Sequence, residues 1–411
     1  MYPTIHWLGQ ERDALVDFIS RAAVPSGFGY LDERGHVNDR MGLNLWINAR
    51  FVHVWACEHL RGNPSAWAYL DHGLRALLTN FRDTEYGGWF LGLPATGDNS
   101  RKEGFAHAYV ALAAASALHS GHPLARELFD AVQATIEEHF IDPATGLMLP
   151  AFDRNWNPVS EFHATGPNLH LLESSLAAYD ATGDEKYLLR AIRVSEFMLA
   201  KLPKHNFHIP EYLDGNWEYA PEYFAEDTKN PDKPWGAQVG HSFEWARLIH
   251  QTAVVASRKG LLNLEEKLEW LDYPLKVFLT AQEEAWNNGF AFTTDFQGQP
   301  LIEARHWWVM CEALCHGHAI LELMKEFPNH PFPTGLKEDL PWLLMDWWKW
   351  TQDFLISSPG RWHHELDVMN DPAHVTWSGM PEPYHIYQTL AYPMAKDYAL
   401  SFAAQAKEQI A

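Results

Sequence analysis

Apolar residues recur with a helical period over stretches of roughly 15 to 25 residues, and most of these stretches come in pairs. The pairs are 39–61 with 63–82, 101–120 with 123–140, 167–182 with 184–202, 241–259 with 263–286, and 303–327 with 336–357. One unpaired pattern precedes them at 11–23 and one follows at 381–408. Short breakers divide the members of a pair: Asn63-Pro64, read as N-cap and first helical residue, then Gly121-His122-Pro123 and Gly183. Between pairs lie six segments, 26–38, 84–96, 145–158, 206–217, 287–300 and 358–371, in which a Gly-containing turn is flanked by aromatic or alternating residues. That is the pattern of a short hairpin. Successive segments start about 60 to 80 residues apart, a period that marks an array.

One helix, ten paired helices and one more make twelve, and the first can pair with the last. The pattern predicts an all-α fold, an (α/α)6 barrel of twelve helices with short hairpins rimming one end, built from 1–411 as a single domain. An open solenoid needs polar capping repeats at its ends. The final pattern instead carries Tyr384, Ile386, Tyr387, Leu390 and Tyr392, which favours closure. The longest interruption, 204–239, is rich in Pro, Asn, Asp, Tyr and Trp. Loops of this length in compact domains are commonly functional, so it is read as a flap over the barrel mouth.

The first helix of each pair follows a hairpin, and the polar residues that interrupt apolar stripes gather there. They are Trp46 and Arg50, His107, His170 and Glu173, His241 and Glu244, Trp308 and Glu312, and His385. Convergence of such groups on one apolar-walled pocket is the signature of an active site. His170 with Glu173, and His241 with Glu244, stand three apart on one helical face, the spacing of an imidazole beside a carboxylate that tunes it. Each has a plain structural alternative: a salt bridge for Arg50, a core hydrogen bond for His107, packing for Trp46 and Trp308. With 23 His in the chain, some His-x-x-Glu pairs arise by chance.

No Ser, Cys or Thr carries a nucleophile signature, and there is no Gly-rich phosphate loop or dinucleotide fingerprint. A metal site from the two His-x-x-Glu pairs is conceivable, although helical bundles build such sites in the order Glu-x-x-His. Two or more His with an Arg polarising an oxygen suit proton abstraction next to a carbonyl. The 19 Trp point toward a carbohydrate, since indole stacks on sugar faces. A formal charge of -22 excludes nucleic acid and anionic membranes as main partners. Three Cys, a start without a signal-like pattern and no run of membrane-spanning length lead to the expectation of a cytoplasmic enzyme.

Several stretches together resemble the N-acylglucosamine 2-epimerase superfamily over essentially the whole chain: 42–50 (GLNLWINAR), 86–89 (YGGW), 168–173 (NLHLLE), 240–245 (GHSFEW), 307–313 (WWVMCEA) and 383–385 (PYH). Within it, Glu244-Trp245 and Gly27-Phe28-Gly29-Tyr30 look most like the aldose-ketose isomerase branch, which includes enzymes of the mannose and sulfoquinovose type. The resemblance implies an (α/α)6 barrel and interconversion of an aldose and a ketose through a cis-enediol(ate), D-mannose to D-fructose and also D-lyxose to D-xylulose. It makes His385 and His241 the acid/base pair, His385 for transfer between C1 and C2 and His241 for ring opening and for passing protons to oxygen, with exchange of the two roles left open. Arg50 then stabilises the enediolate oxygen, and Trp46, Asn168, His170, Glu173, Glu244, Trp308 and Glu312 bind the monosaccharide. No cofactor or metal is needed, because the substrate carbonyl is the electron sink. A sulfonated substrate would ask for added basic groups, and no Arg or Lys cluster stands near these motifs. The alternatives are a sugar 2-epimerase or sulfoquinovose isomerase on the same site, a glycoside hydrolase using Glu244 and Glu312, and a non-catalytic binding protein.

Overall fold

A computed structural model describes residues 2–408. Its helices are α1 (Ile5–Ile19), α2 (Leu45–Leu60), α3 (Ala66–Thr79), α4 (Gly104–Ser120), α5 (Ala125–Thr135), α6 (Thr165–Thr182) and α7 (Glu185–Leu199). They continue with α8 (Val239–Arg258), α9 (Leu264–Ala285), α10 (Trp307–Glu326), α11 (Leu336–Trp350), α12 (Tyr384–Ala391) and α13 (Phe402–Glu408). Neighbouring contacts run α2 to α4, α6, α8, α10 and α12 and back to α2, so six helices close an inner ring. The outer layer is α3, α5, α7, α9, α11 and α1, and α1 packs on α12 as the pairing of the two chain ends predicts.

Burial explains the two layers. Inner helix α4 is buried from Gly104 to Ala117 apart from Phe105, and its run of alanines admits close neighbours on both sides. Outer helix α5 buries a stripe of Leu128, Phe129 and Val132 and keeps Arg126, Glu127 and Asp130 outside, the ordinary pattern of a surface helix. Gly121 and Gly183 end α4 and α6 at φ 71° and 70°, the left-handed conformation that glycine adopts without a Cβ penalty. Asn63 does not cap α3 itself; its side chain accepts from the Ser65 N–H (3.1 Å) in the turn before the helix.

The hairpin segments are more than hairpins. Two residues leading into an inner helix pair antiparallel with two residues that follow the matching outer helix. The pairs are Leu43–Asn44 with Gly92–Leu93, Lys102–Glu103 with Ala151–Phe152, His163–Ala164 with Tyr212–Leu213, Ala237–Gln238 with Thr293–Thr294, and Arg305–His306 with Glu365–Leu366. A single bridge, Leu31 with Met380, makes the sixth pair and joins the chain's beginning to the helix that closes the ring. These ladders fix all six inner N-termini at one end.

One expectation is corrected. The last helical pattern, 381–408, is two helices, because Pro393 has no N–H to continue α12. The chain turns through Tyr392–Met394 and returns as α13, which packs against α2, α4 and α6 with Phe402, Ala403, Ala404 and Ala406 buried.

Candidate active site

Because the inner helices start in register, residues of the same ordinal form layers. The second residues are Trp46, Phe105, Gly166, Gly240, Trp308 and His385; the sixth are Arg50, Tyr109, His170, Glu244, Glu312 and Thr389. Above the sixth-residue layer lies a cavity of about 330 Å³, the size class of a small-molecule site. Trp46, Arg50, Tyr109, His170, His241, Glu244, Trp308 and His385 line it, with Phe105, Phe292, Trp307 and Trp377 as apolar wall. From 204–239, Pro231, Asp232, Pro234 and Gln238 complete the rim.

Two histidines are held alike. His385 gives its Nδ1 hydrogen to Glu312 Oε1 (3.0 Å), and Glu312 Oε2 accepts from Arg247 Nε at 3.0 Å, with Arg247 Nη2 at 2.9 Å. His241 gives its Nδ1 hydrogen to Glu211 (2.9 Å to Oε1). A carboxylate only accepts, so both rings carry hydrogen on Nδ1 and keep Nε2 as the basic nitrogen. Trp308 stands between them, its ring centre 5.3 Å from that of His241 and 5.8 Å from that of His385. Burial depresses His385 below the ordinary imidazole range, opposed by the Glu312 hydrogen bond, so it rests neutral and able to take a proton. Burial works to raise Glu312, but Arg247 and His385 outweigh it and keep this carboxylate ionised.

Arg50 lies in an aromatic cage, its guanidinium carbon 4.3 Å from the Tyr109 ring centre and 4.8 Å from those of Trp46 and Tyr384. It donates to the Tyr109 hydroxyl and to His385 Nε2 (3.3 Å) and faces Glu382 at 3.4 Å. Burial resists its charge, but Tyr109 and Glu382 outweigh that, so Arg50 is a fixed cation beside the basic nitrogen of His385. Tyr109 passes its hydroxyl hydrogen on to His170 Nε2 (3.2 Å). Burial and then Arg50 hold His170 neutral.

The structure redistributes the residues singled out from sequence. Trp46, Arg50, His170, His241, Glu244, Trp308 and His385 come together on the cavity. Glu312 stands behind His385, and Glu173 lies deeper, accepting from the Tyr384 hydroxyl. Asn168 is drawn away: its amide accepts from Met148 N–H (2.8 Å) and donates to Met148 O (3.2 Å), pinning a turn as Asn48 does at Phe28. His107 occupies the same fourth place in its helix and accepts from Trp89 N–H (3.1 Å), so it too is structural. The His241 and Glu244 pairing is also corrected: the carboxylate on His241 is Glu211, while Glu244 Oε1 lies 3.9 Å from His170 Nδ1. Sequence reasoning missed Glu211, whose loop position gave no periodic signal, and Tyr109, two places beyond the His107 that drew attention. Among the described residues, His170, Glu173 and Glu244 offer metal-type donor atoms within 4.8 Å of one another.

Residues 27–389 match the family model of N-acylglucosamine 2-epimerase (GlcNAc 2-epimerase). A D-mannose isomerase of Thermobifida fusca is 36% identical over 399 residues, covering 94% of this chain and 93% of that protein. A D-mannose isomerase of Pseudomonas cannabina pv. alisalensis is 31% identical over 395 residues, 94% of this chain and 92% of its own. A crystal structure of D-mannose isomerase superposes with a TM-score of 0.83 at 22% identity, over 96% of this chain and 99% of that one.

Proposed function

The chain belongs to the N-acylglucosamine 2-epimerase family, and on that premise we propose that it is an aldose-ketose isomerase converting D-mannose to D-fructose. The observation that carries the reading beyond its relatives is the pair of imidazoles, each tied at Nδ1 to a carboxylate and flanking Trp308, with a fixed cation beside one of them. Arg50 is the only Arg or Lys among the described residues lining the cavity, and Glu382 faces it. That favours an uncharged sugar over a sulfonated one.

In this mechanism the pyranose enters beneath Trp46 and Trp377, and His241 assists ring opening. His385 Nε2 takes the C2 proton of the open chain and returns it to C1. Between these steps the enediolate oxygen develops charge near Arg50, a preorganised donor that needs no reorganisation as the charge forms. Glu312 and Glu211 orient the rings rather than touch the sugar, and His170, Glu244, Tyr109 and Trp308 hold its hydroxyls. The carbonyl of the open sugar is the electron sink, so the proton transfers call for no cofactor. The three free, buried thiols fit a reducing cytoplasm.

His385→Ala and His241→Ala test the assignment. Each removes one acid/base group and is expected to lower turnover by about 10²- to 10⁴-fold while leaving the fold intact. Near wild-type turnover in both would overturn it.

A further inference from the structure

Charge under the cavity does not pair off. Glu173, Glu244, Glu312 and Glu382 are buried there with two guanidinium groups, Arg50 and Arg247. Arg247 is committed to Glu312, and Arg50 faces Glu382. Glu173 forms no ion pair among the described residues, but it accepts from the Tyr384 hydroxyl and from Gln388 (3.5 Å), donors that favour its ionised form against the burial that raises it. Glu244 has neither. It is 1% exposed, it lines the cavity, and among the described residues its Oε1 has no hydrogen-bond partner. Close to it stand Glu173 and His170, whose Oε2 and Nδ1 are likewise buried without a partner among the described residues. A lone buried carboxylate beside another carboxylate is costly, and the usual resolution is that one of the two keeps a proton.

We propose that Glu244 is held as a neutral carboxylic acid and carries the proton between the two oxygens of the open-chain sugar. The proposal rests on the aldose-ketose reading and deepens it. Isomerisation moves two hydrogens, one from C2 to C1 and one from O2 to O1, and His385 accounts for the first. As His385 takes the C2 proton, the C2–H pair becomes the C1=C2 bond. The C1=O1 pair then takes the Glu244 proton, leaving an enediol and a carboxylate. In the second half that carboxylate accepts the O2 proton, the O2–H pair closes the C2=O2 carbonyl, and the C1=C2 pair takes the proton back from His385. Both enzyme groups end as they began. The two oxygens of one carboxyl group stand side by side like the vicinal oxygens of a cis-enediol, so one residue serves both ends. His241 is left the ring opening.

The surroundings agree with this assignment. Burial first, then Glu312 from α10 and Glu173 from α6, raise Glu244 well above the usual carboxylate range, against Arg247 on its own helix and Arg50 on α2. Tyr109 on α4, Tyr384 on α12 and the Cys315 thiol on α10, all raised first by burial and neutral, also stand around it, and burial keeps His170 uncharged.

Infrared difference spectroscopy at pH 7, wild type against Glu244→Gln, reads the protonation state without any substrate. A protonated-carboxyl stretch lost in E244Q is expected; a cation held between Glu244, Glu173 and His170 would keep Glu244 ionised, and absence of the band overturns the proposal. With D-mannose in D2O, E244Q is expected to form fructose about 10²- to 10⁴-fold more slowly. Deuterium should still enter C2 of the recovered mannose, because ring opening at His241, abstraction by His385 and the enediolate held beside Arg50 do not call on Glu244. A proton on His385 that exchanges with solvent returns to C2 as deuterium. Parallel loss of both rates, the behaviour of a residue that merely binds a hydroxyl, also overturns it. Glu244→Asp keeps a carboxyl group and should keep the band and recover part of the ketose formation. Inactivity of wild type on D-mannose would defeat the isomerase reading alone, since the infrared result stands apart from it.

Discussion

Gly240→Ala reaches the centre of the proposed machinery through packing alone. Gly240 is the second residue of α8, in helical conformation, so alanine costs nothing in the backbone. A Cβ there would lie 2.0 Å from Cζ3 of Trp308, where an ordinary contact is 3.4–4 Å. To regain ordinary contact the indole must retreat by about 1.4 Å, the difference between 3.4 and 2.0 Å. Trp308 separates His241 from His385, and a misplacement of about 1 Å at such a site costs on the order of 10²-fold in rate. Overpacking adds a stability loss of about 1–3 kcal/mol. Gly166 is the built-in control. It holds the same second place in α6, but its added Cβ would meet only His241 Cε1 at 3.8 Å. Steady-state kinetics on D-mannose and a thermal melt should show G240A folded and about a hundredfold slower, with G166A close to wild type. Equal rates in G240A and wild type would refute the claim that Trp308 sets the geometry.

Two further expectations follow from the same side chains. Glu211→Ala removes the acceptor of the His241 Nδ1 hydrogen and should lower kcat by about 10²-fold with a smaller change in KM, measured on D-mannose; an unchanged kcat would mean that the ring needs no anchor. His53, His107, His306, His318 and His364 are buried and pushed down from 6.5 to about 3, in each case first by desolvation. The unfolded chain therefore binds more protons below about pH 6.5, and the stability these groups contribute above that pH is lost as pH falls. At pH 5 each costs about 2 kcal/mol, against a typical total of about 5–15 kcal/mol. Glu173 and Glu244, whose raised values act in the opposite sense, offset only part of this. Circular dichroism melts should lose stability steeply between about pH 6.5 and 5; a flat Tm across that window would contradict the burial of these rings as neutral groups.

The repeat was legible because each helix pair must bury a stripe and end at a breaker, and Gly121 and Gly183 end their helices where they stand in the sequence. Cavity residues showed as polar interruptions of inner helices, but polarity alone does not separate a sixth residue, such as His170, from a fourth, such as Asn168 or His107. The fourth positions face the backbone of the preceding turn, where Asn168 and His107 bond to Met148 and Trp89. Ordinal position in a register-locked ring decides the role, and it appears only when the helix starts are aligned by their strand pairs. Glu211 was out of reach for another reason: it meets His241 across a loop whose course no periodicity fixes. The break in the final helix was readable in principle from Pro393, which the strong apolar pattern around it masked.

Proton NMR of D-mannose incubated with the purified protein in D2O, after treatment with a chelator, tests the central claim most directly. Fructose should appear with little glucose and without dependence on added metal, and it carries deuterium at C1 to the extent that the proton on His385 exchanges with solvent before its return. Glucose as the main early product would make the protein a 2-epimerase, and unchanged D-mannose would contradict the isomerase assignment altogether.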